Sequence, residues 1–149
     1  MKRYKISNRI LVVTLIFLLT FSVIGFILAN RTRYDTLTIG THRYRLLEAV
    51  TAAEQEKGLG GRGPLPEDQG MIFIYGAEAQ RCFWMKGMQF SLDIIWLNAH
   101  KDVVAMHQNL SPRSYPQIFC PHESAQYIIE LNAGQAAQSG VGVGQKLNF

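Results

Sequence analysis

The longest unbroken apolar run lies near the start of the chain, where Ile10–Ala29 (ILVVTLIFLLTFSVIGFILA) holds 20 residues without a charge. At about 1.5 Å rise per residue a helix of that length covers about 30 Å, the hydrocarbon thickness of a bilayer. Its only polar members are Thr14, Thr20 and Ser22, whose hydroxyls can bond back to helix carbonyls. The pattern predicts one membrane-spanning anchor. A cleaved signal peptide is the alternative, but its apolar region would be about 7–15 residues and end in small residues, whereas Ile27 and Leu28 precede Ala29 here.

Beyond this run the pattern becomes short apolar stretches broken by Gly, Pro and polar pairs. Asp35–Ile39 and His42–Val50 read as a hairpin turning at Gly40 and Thr41. Thr51 opens a short helix, with Glu54 three residues on as its capping-box partner and Gly58 placed to end it. Residues 60–70 (GGRGPLPEDQG) are a loop. Met71–Tyr75 (MIFIY) is apolar at every position, as expected of a strand covered on both faces, and Arg81–Lys86 (RCFWMK) reads as another strand. Ser91–Asn98 and Val103–His107 suit a second hairpin, joined through Ala99–Asp102. Residues 108–124 contain three prolines and no period, so they read as irregular. Tyr127–Leu131 resumes as a strand, Gln135–Ser139 gives a turn or two of helix, and Gln145–Phe149 reads as a closing strand.

Seven or eight short strands with little helix predict a mainly β domain, a compact β-sandwich or small barrel with one or two short helices. The expected organisation is a basic tail over residues 1–9, an anchor over 10–29, a linker over 30–34 and a β-rich domain over 35–149. Five linker residues are too few for a flexible stalk, so the domain is expected close to the bilayer.

Charge fixes the expected orientation. Lys2, Arg3, Lys5 and Arg9 precede the apolar run and only Arg31 and Arg33 follow it closely, so the N-terminus is expected in the cytoplasm and the domain outside. The net charge of +4 comes from the tail: of 15 basic residues six lie at or before Arg33, and all 11 acidic residues follow it. Residues 35–149 therefore carry 9 − 11 = −2. That argues against nucleic acid as a partner and leaves the membrane and an envelope ligand or protein as the expected ones.

Several separated segments resemble, in order, the domain of unknown function 192 (DUF192) family of small exported or membrane-anchored bacterial and archaeal proteins. They are Glu54–Leu59 (EQEKGL), Leu65–Phe73 (LPEDQGMIF), Phe83–Lys86 (FWMK), Leu92–Ile95 (LDII), Tyr127–Gly134 (YIIELNAG) and Gly140–Lys146 (GVGVGQK). FWMK followed by LDII is the most specific part. Gly87–Gln89 (GMQ) departs from the polar pair that commonly follows the lysine in the family, so any role of that pair is in doubt here. The resemblance implies a compact, sandwich-like β fold and no particular activity.

No nucleophile-elbow, phosphate-loop, zinc-protease or dinucleotide motif is present. Asp93 is conspicuous because it sits in an apolar strand (LDIIWL), sharing a face with Ile95 and Leu97. A buried carboxylate needs a partner, and Lys86 is the expected one. That pair either pins two strands or forms the polar centre of a ligand site with Trp84, Met85 and Met88. Core packing is the simpler role for Trp84 and Met85, but a solvent-facing Trp84 would mark a binding surface. Glu130, between Ile129 and Leu131, either faces a pocket or is solvated at a strand edge.

Cys82 and Cys120 lie on the expected outer side and are candidates for a disulfide. The competing uses are a metal site with His122, whose ligand spacing is not diagnostic, and a Cys-His nucleophile. No cofactor is expected. The reading that follows is a non-enzymatic binding or accessory module tethered in the cell envelope. The alternative is an envelope enzyme acting on a wall, lipid or carbohydrate substrate with Asp93 or Glu130 as acid or base.

Overall fold

The structure is a computed structural model that describes the backbone of residues 8–29 and 32–149 and the side chains of residues 12–25 and 32–149. Lys2, Arg3, Lys5, the side chain of Arg9, and Asn30 and Arg31 lie outside the described residues, and with them much of the basic flank and linker. The chain divides into two compact units, Met1–Thr32 and Arg33–Phe149.

The first unit contains α1 (Asn8–Ala29), helical over 22 residues. Thr20 Oγ1 donates to the Phe17 carbonyl at 2.9 Å, so this hydroxyl is satisfied within the helix. Among the described residues, no helix is long and apolar enough to cross a membrane.

The second unit is built from β1 (Tyr34–Ile39), β2 (His42–Ala49), α2 (Ala52–Lys57), β3 (Gln69–Ala79), β4 (Phe83–Trp84), β5 (Leu92–Leu97), β6 (Val103–Leu110), β7 (Ile118–Phe119), β8 (Ala125–Asn132) and α3 (Gln135–Ser139). Six strands form one mixed sheet in the order β1-β2-β3-β8-β5-β6, while β4 and β7 form a separate two-stranded ribbon. Only β2 and β3 run parallel among these pairs. Parallel neighbours need a crossover, which α2 and the Gly/Pro loop after it supply.

Local chemistry sets this crossover. Glu54 Oε2 accepts from the Thr51 and Val50 amides at 2.8 and 3.0 Å, and Thr51 Oγ1 accepts from the Glu54 amide at 3.3 Å. The capping box expected from sequence is therefore closed. Gly58 ends the helix at φ +49°, donating to the Glu54 carbonyl at 2.8 Å, and a Cβ there would meet the Phe73 ring at 3.3 Å. Gln55 Nε2 donates to the Ile74 carbonyl at 2.8 Å, which ties the helix to β3.

Alternation along the strands builds a core on each side of the sheet. Leu47, Met71, Phe73, Leu92, Ile94, Trp96 and Ile128 face one side, where Leu59, Met85, Phe90 and Phe119 cover them. Leu37, Tyr44, Leu46, Ile72, Ile95, Leu97, Ile129 and Leu131 face the other, beneath Ala136, Val141 and Leu147. All six residues of β5 are buried as a result. Gly70 allows β3 to lie close against β8: a Cβ there would stand 2.7 Å from the Glu130 carbonyl oxygen.

The mainly β expectation holds, but the sheet is not a closed barrel, since β1 and β6 are free ends of the strand order. A sandwich of two comparable sheets is also absent among the described residues, because the second sheet has only two short strands. The expected strand over Arg81–Lys86 shrinks to β4, since its partner β7 is equally short and the chain turns where Met88 N–H donates to the Met85 carbonyl at 3.3 Å. Within residues 108–124 the structure adds the end of β6, a 3-10 turn over Pro112–Ser114, and β7. The closing strand over Gln145–Phe149 reduces to single bridges, Asp102 with Lys146 and Thr38 with Asn148.

Cys82 and Cys120 are bonded, with Cα atoms 4.2 Å apart, and they flank β4 and β7. The link spans 38 residues in sequence, and closing such a loop in the unfolded chain stabilises the fold by on the order of 3–4 kcal/mol. Reductant, or a Cys82→Ser/Cys120→Ser double variant, is expected to lower denaturant stability by that amount. Equal unfolding midpoints with and without reductant would contradict it.

Candidate functional site

Asp93 and Lys86 do not meet, which corrects the expected pair. Asp93 is fully buried on the Ile95 and Leu97 side, whereas Lys86 is exposed and lines a cleft on the opposite side with Phe73 and Phe83. The alternation of β5 puts the sheet between them. The carboxylate is satisfied by backbone instead: Oδ1 accepts from the Asn109 amide at 2.8 Å and Oδ2 from the Ala136 amide at 2.9 Å. Asn109 reaches it from a left-handed conformation, φ +56°.

Around Asp93 the polar groups are closed on one another. The Tyr44 hydroxyl donates to Gln135 Oε1 at 3.1 Å, and Ser139 Oγ donates to the Ala136 carbonyl at 3.0 Å. Burial pushes the Tyr44 phenol up, a hydrogen bond with Ser139 opposes this, and the charge of Asp93 adds to it. Sealed with both oxygens occupied, Asp93 ties β5 to its neighbour β6 and to α3 and does not reach a ligand.

Glu130 presents the reverse case. It lies on β8, an interior strand, opposite Met71 of β3 and Ile94 of β5, so it is not solvated at an edge. It is 5% exposed, and its Oε2 has no hydrogen-bond partner among the described residues. Burial pushes its pKa up to about 8, which leaves the carboxyl neutral at pH 7. It also acts on Tyr75, whose phenol is raised first by burial, lowered by Arg81 and raised by Glu130.

Glu130 forms the floor of a cleft of about 50 Å³. Phe73, Phe83 and Met88 wall it, Trp84 and Lys86 stand at its rim, and the end of α2 with Glu56 and Lys57 closes the other side. The Phe73 and Phe83 rings meet edge to face at 4.9 Å. Trp84 is 51% exposed, with Lys86 Nζ 5.2 Å from its ring centroid and the Tyr115 ring 6.0 Å away. Its cross-strand partner Ile118 is exposed as well. The rim is therefore a solvent-facing apolar patch.

Of the expected ligand-site residues, Trp84, Lys86 and Met88 are brought together here, with Glu130 added from the weaker catalytic candidates. Met85 is in the core at 1% exposure and Asp93 is across the sheet. Phe73 and the α2 end carry no signal of a site in the sequence, whereas Phe83 is legible there as a neighbour of a solvent-facing Trp84. Both cysteine sulfurs are in the disulfide, which leaves neither a thiolate nucleophile nor a thiolate ligand beside His122. Among the described residues, no three His, Cys, Asp or Glu side chains are grouped to hold a metal.

Fold and cleft define a small β domain with an aromatic-rimmed cleft on one face of its sheet. The chain belongs to the DUF192 family (uncharacterized ACR), whose family model matches residues 35–149. Among solved structures it is similar to a protein of Sinorhizobium meliloti 1021 described as a candidate transcription regulator, at 28% identity and a TM-score of 0.72, covering 80% of this chain and 97% of that one. It is also similar to a protein of unknown function from Novosphingobium aromaticivorans, at 31% identity and a TM-score of 0.71, covering 79% and 85%. No curated protein matches the chain.

The two buried carboxyls should respond oppositely to amidation. Asp93→Asn turns one acceptor into a donor facing a backbone N–H and is expected to cost about 2–4 kcal/mol. For Glu130 the folded pKa lies above the usual 4.5, so its contribution to stability is full below about pH 4.5 and is lost as the pH rises to about 8. Glu130→Gln removes that loss. Its unfolding free energy should match the parent's near pH 4 and exceed it by pH 8, by on the order of a few kcal/mol. A constant difference between the two proteins over that range would contradict the assignment.

Proposed function

We propose that this protein is a membrane-tethered binding module of the cell envelope whose ligand enters the Glu130 cleft and rests on Trp84. One observation carries the reading: a carboxyl group 5% exposed, with Oε2 unpartnered, sits at the floor of a cleft open to solvent. A buried polar atom left unpaired costs free energy; Oε2 is itself sealed from solvent, so a ligand recovers that cost as the carboxyl turns this oxygen toward the cleft.

The tether rests on the 20 uncharged residues Ile10–Ala29, on the helical backbone over them, and on the basic flank before them. The Cys82–Cys120 bond supports an oxidising compartment outside the cytoplasm. Nucleic acid is a poor fit despite the description of the Sinorhizobium relative, since residues 35–149 carry −2.

An envelope enzyme acting on a wall, lipid or carbohydrate substrate is the second reading, favoured by a carboxyl that keeps its proton at pH 7 and can act as a general acid. Asp93 is not available to assist it across the sheet.

Thermal melts of the full chain in a maltoside detergent, against amines, sugars, lipid headgroups and peptidoglycan fragments, test the proposal. A binder is expected to raise the melting temperature of the parent and not that of Glu130→Gln, with no product formed. Turnover of a substrate lost in Glu130→Gln would establish the enzyme instead. Stabilising ligands that act equally on Glu130→Gln and Trp84→Ala would move the site elsewhere.

A further inference from the structure

We infer that the cleft takes an organic ammonium group, held between the Glu130 carboxylate at its floor and the aromatic rings at its mouth. This deepens the binding-module reading and rests on it.

A buried carboxylate is stable only when paired or hydrogen-bonded, and Oε2 has no such partner among the described residues. An ammonium brings both a charge and N–H donors. The surroundings suit a cation for a second reason: Phe73, Phe83 and Trp84 line the cleft together with the Met88 thioether, and aromatic faces attract ammonium groups. Lys86 already shows this affinity within the chain, with its own Nζ 5.2 Å from the Trp84 centroid.

Size limits the group that enters. About 50 Å³ admits the end of an alkylamine, with the remainder of the molecule lying outside against Trp84. Glycine at position 58 keeps the wall open, because any Cβ there would press on the Phe73 ring.

The charges around the site decide between a cation and a neutral ligand. From α2 come Glu56 and Lys57, and after β4 comes Lys86. From β3 comes Tyr75, with Arg81 stacked 4.0 Å over its ring. On β6, His107 packs against Trp96 and Phe119 instead of the cleft. Glu56 and the two lysines are exposed, so their effect on a ligand is screened by water and salt. Once ionised, the buried Glu130 attracts a cation with little screening; while it holds its proton that attraction is absent, so a cation is favoured over a neutral ligand only as Glu130 ionises.

Binding also has a proton balance. Below about pH 8 Glu130 holds a proton, so an entering ammonium releases one proton to solvent as the carboxylate forms and the ion pair closes. With only the ionised fraction competent to bind, apparent affinity should rise roughly 50-fold between pH 6 and pH 8.

The test is an NMR titration of the full chain in maltoside micelles with n-butylammonium chloride, using n-butanol as the uncharged counterpart. The Glu130 carboxyl carbon and the Trp84 indole N–H report binding. Saturable binding of n-butylammonium is expected, tightening with pH and shifting Glu130 to its ionised signal. Glu130→Gln should remove both the binding and its pH dependence. Trp84→Ala, at an exposed position, should weaken binding by roughly 2- to 5-fold.

Tighter binding of n-butanol, affinity that falls with rising pH, or no saturable response to n-butylammonium would each overturn the inference. If n-butanol alone perturbs Glu130 and Trp84, the cleft survives as a site and only the ammonium is wrong. If neither probe perturbs them, the ammonium falls and the ligand panel judges the cleft.

Discussion

Topology buries a carboxyl group with one oxygen unpaired among the described residues, and the rest of the site follows from that constraint. β8 lies between β3 and β5, so every second side chain along it points into the core that contains Phe73, Trp96 and Ile128. Glu130 takes one of those positions. Its ionised form is disfavoured by desolvation, so the group stays protonated well above the usual range. Asp93, on the neighbouring strand at the same depth, points the other way and receives two backbone amides. Two acidic residues in adjacent strands thus take opposite roles, one closing a polar network and one left open to a ligand.

The two sides of the sheet are finished differently. On the Asp93 side, α3 and the segment through Leu147 cover the core. On the Glu130 side, the cover is the β4–β7 ribbon together with the loop after α2, and the cleft lies between them. Two-residue strands give the ribbon little stability of their own. The Cys82–Cys120 bond next to them holds Phe83 and Trp84 in place, so a covalent link outside the site fixes the site's aromatic wall.

Local signals in the sequence were the readable ones. The turn at Gly40 and Thr41, the Thr51–Glu54 capping box, and the hairpin closed by Asn98–Asp102 each involve residues a few positions apart, where propensity and hydrogen bonding act directly. The alternation of LDIIWL likewise placed Asp93 on the Ile95 face. Lys86 was misassigned because nearness in sequence does not say on which side of the sheet a side chain emerges. Glu130 stood out only as a lone charge in YIIEL; its burial depends on β3 and β5 flanking β8, which are pairings between residues tens of positions apart. The α2 end enters the cleft through the Gln55 bond to Ile74, another contact that no local pattern announces.

The central claim is that Glu130 is neutral at pH 7 because it is buried and unpaired. A carbon-13 NMR titration of the Glu130 carboxyl in the ligand-free full chain measures this directly, with Glu130→Gln identifying the signal. A single transition with a midpoint near 8 is expected. A midpoint near 4.5 would show a solvated or paired carboxylate, and the cleft would lose the property on which its proposed role depends.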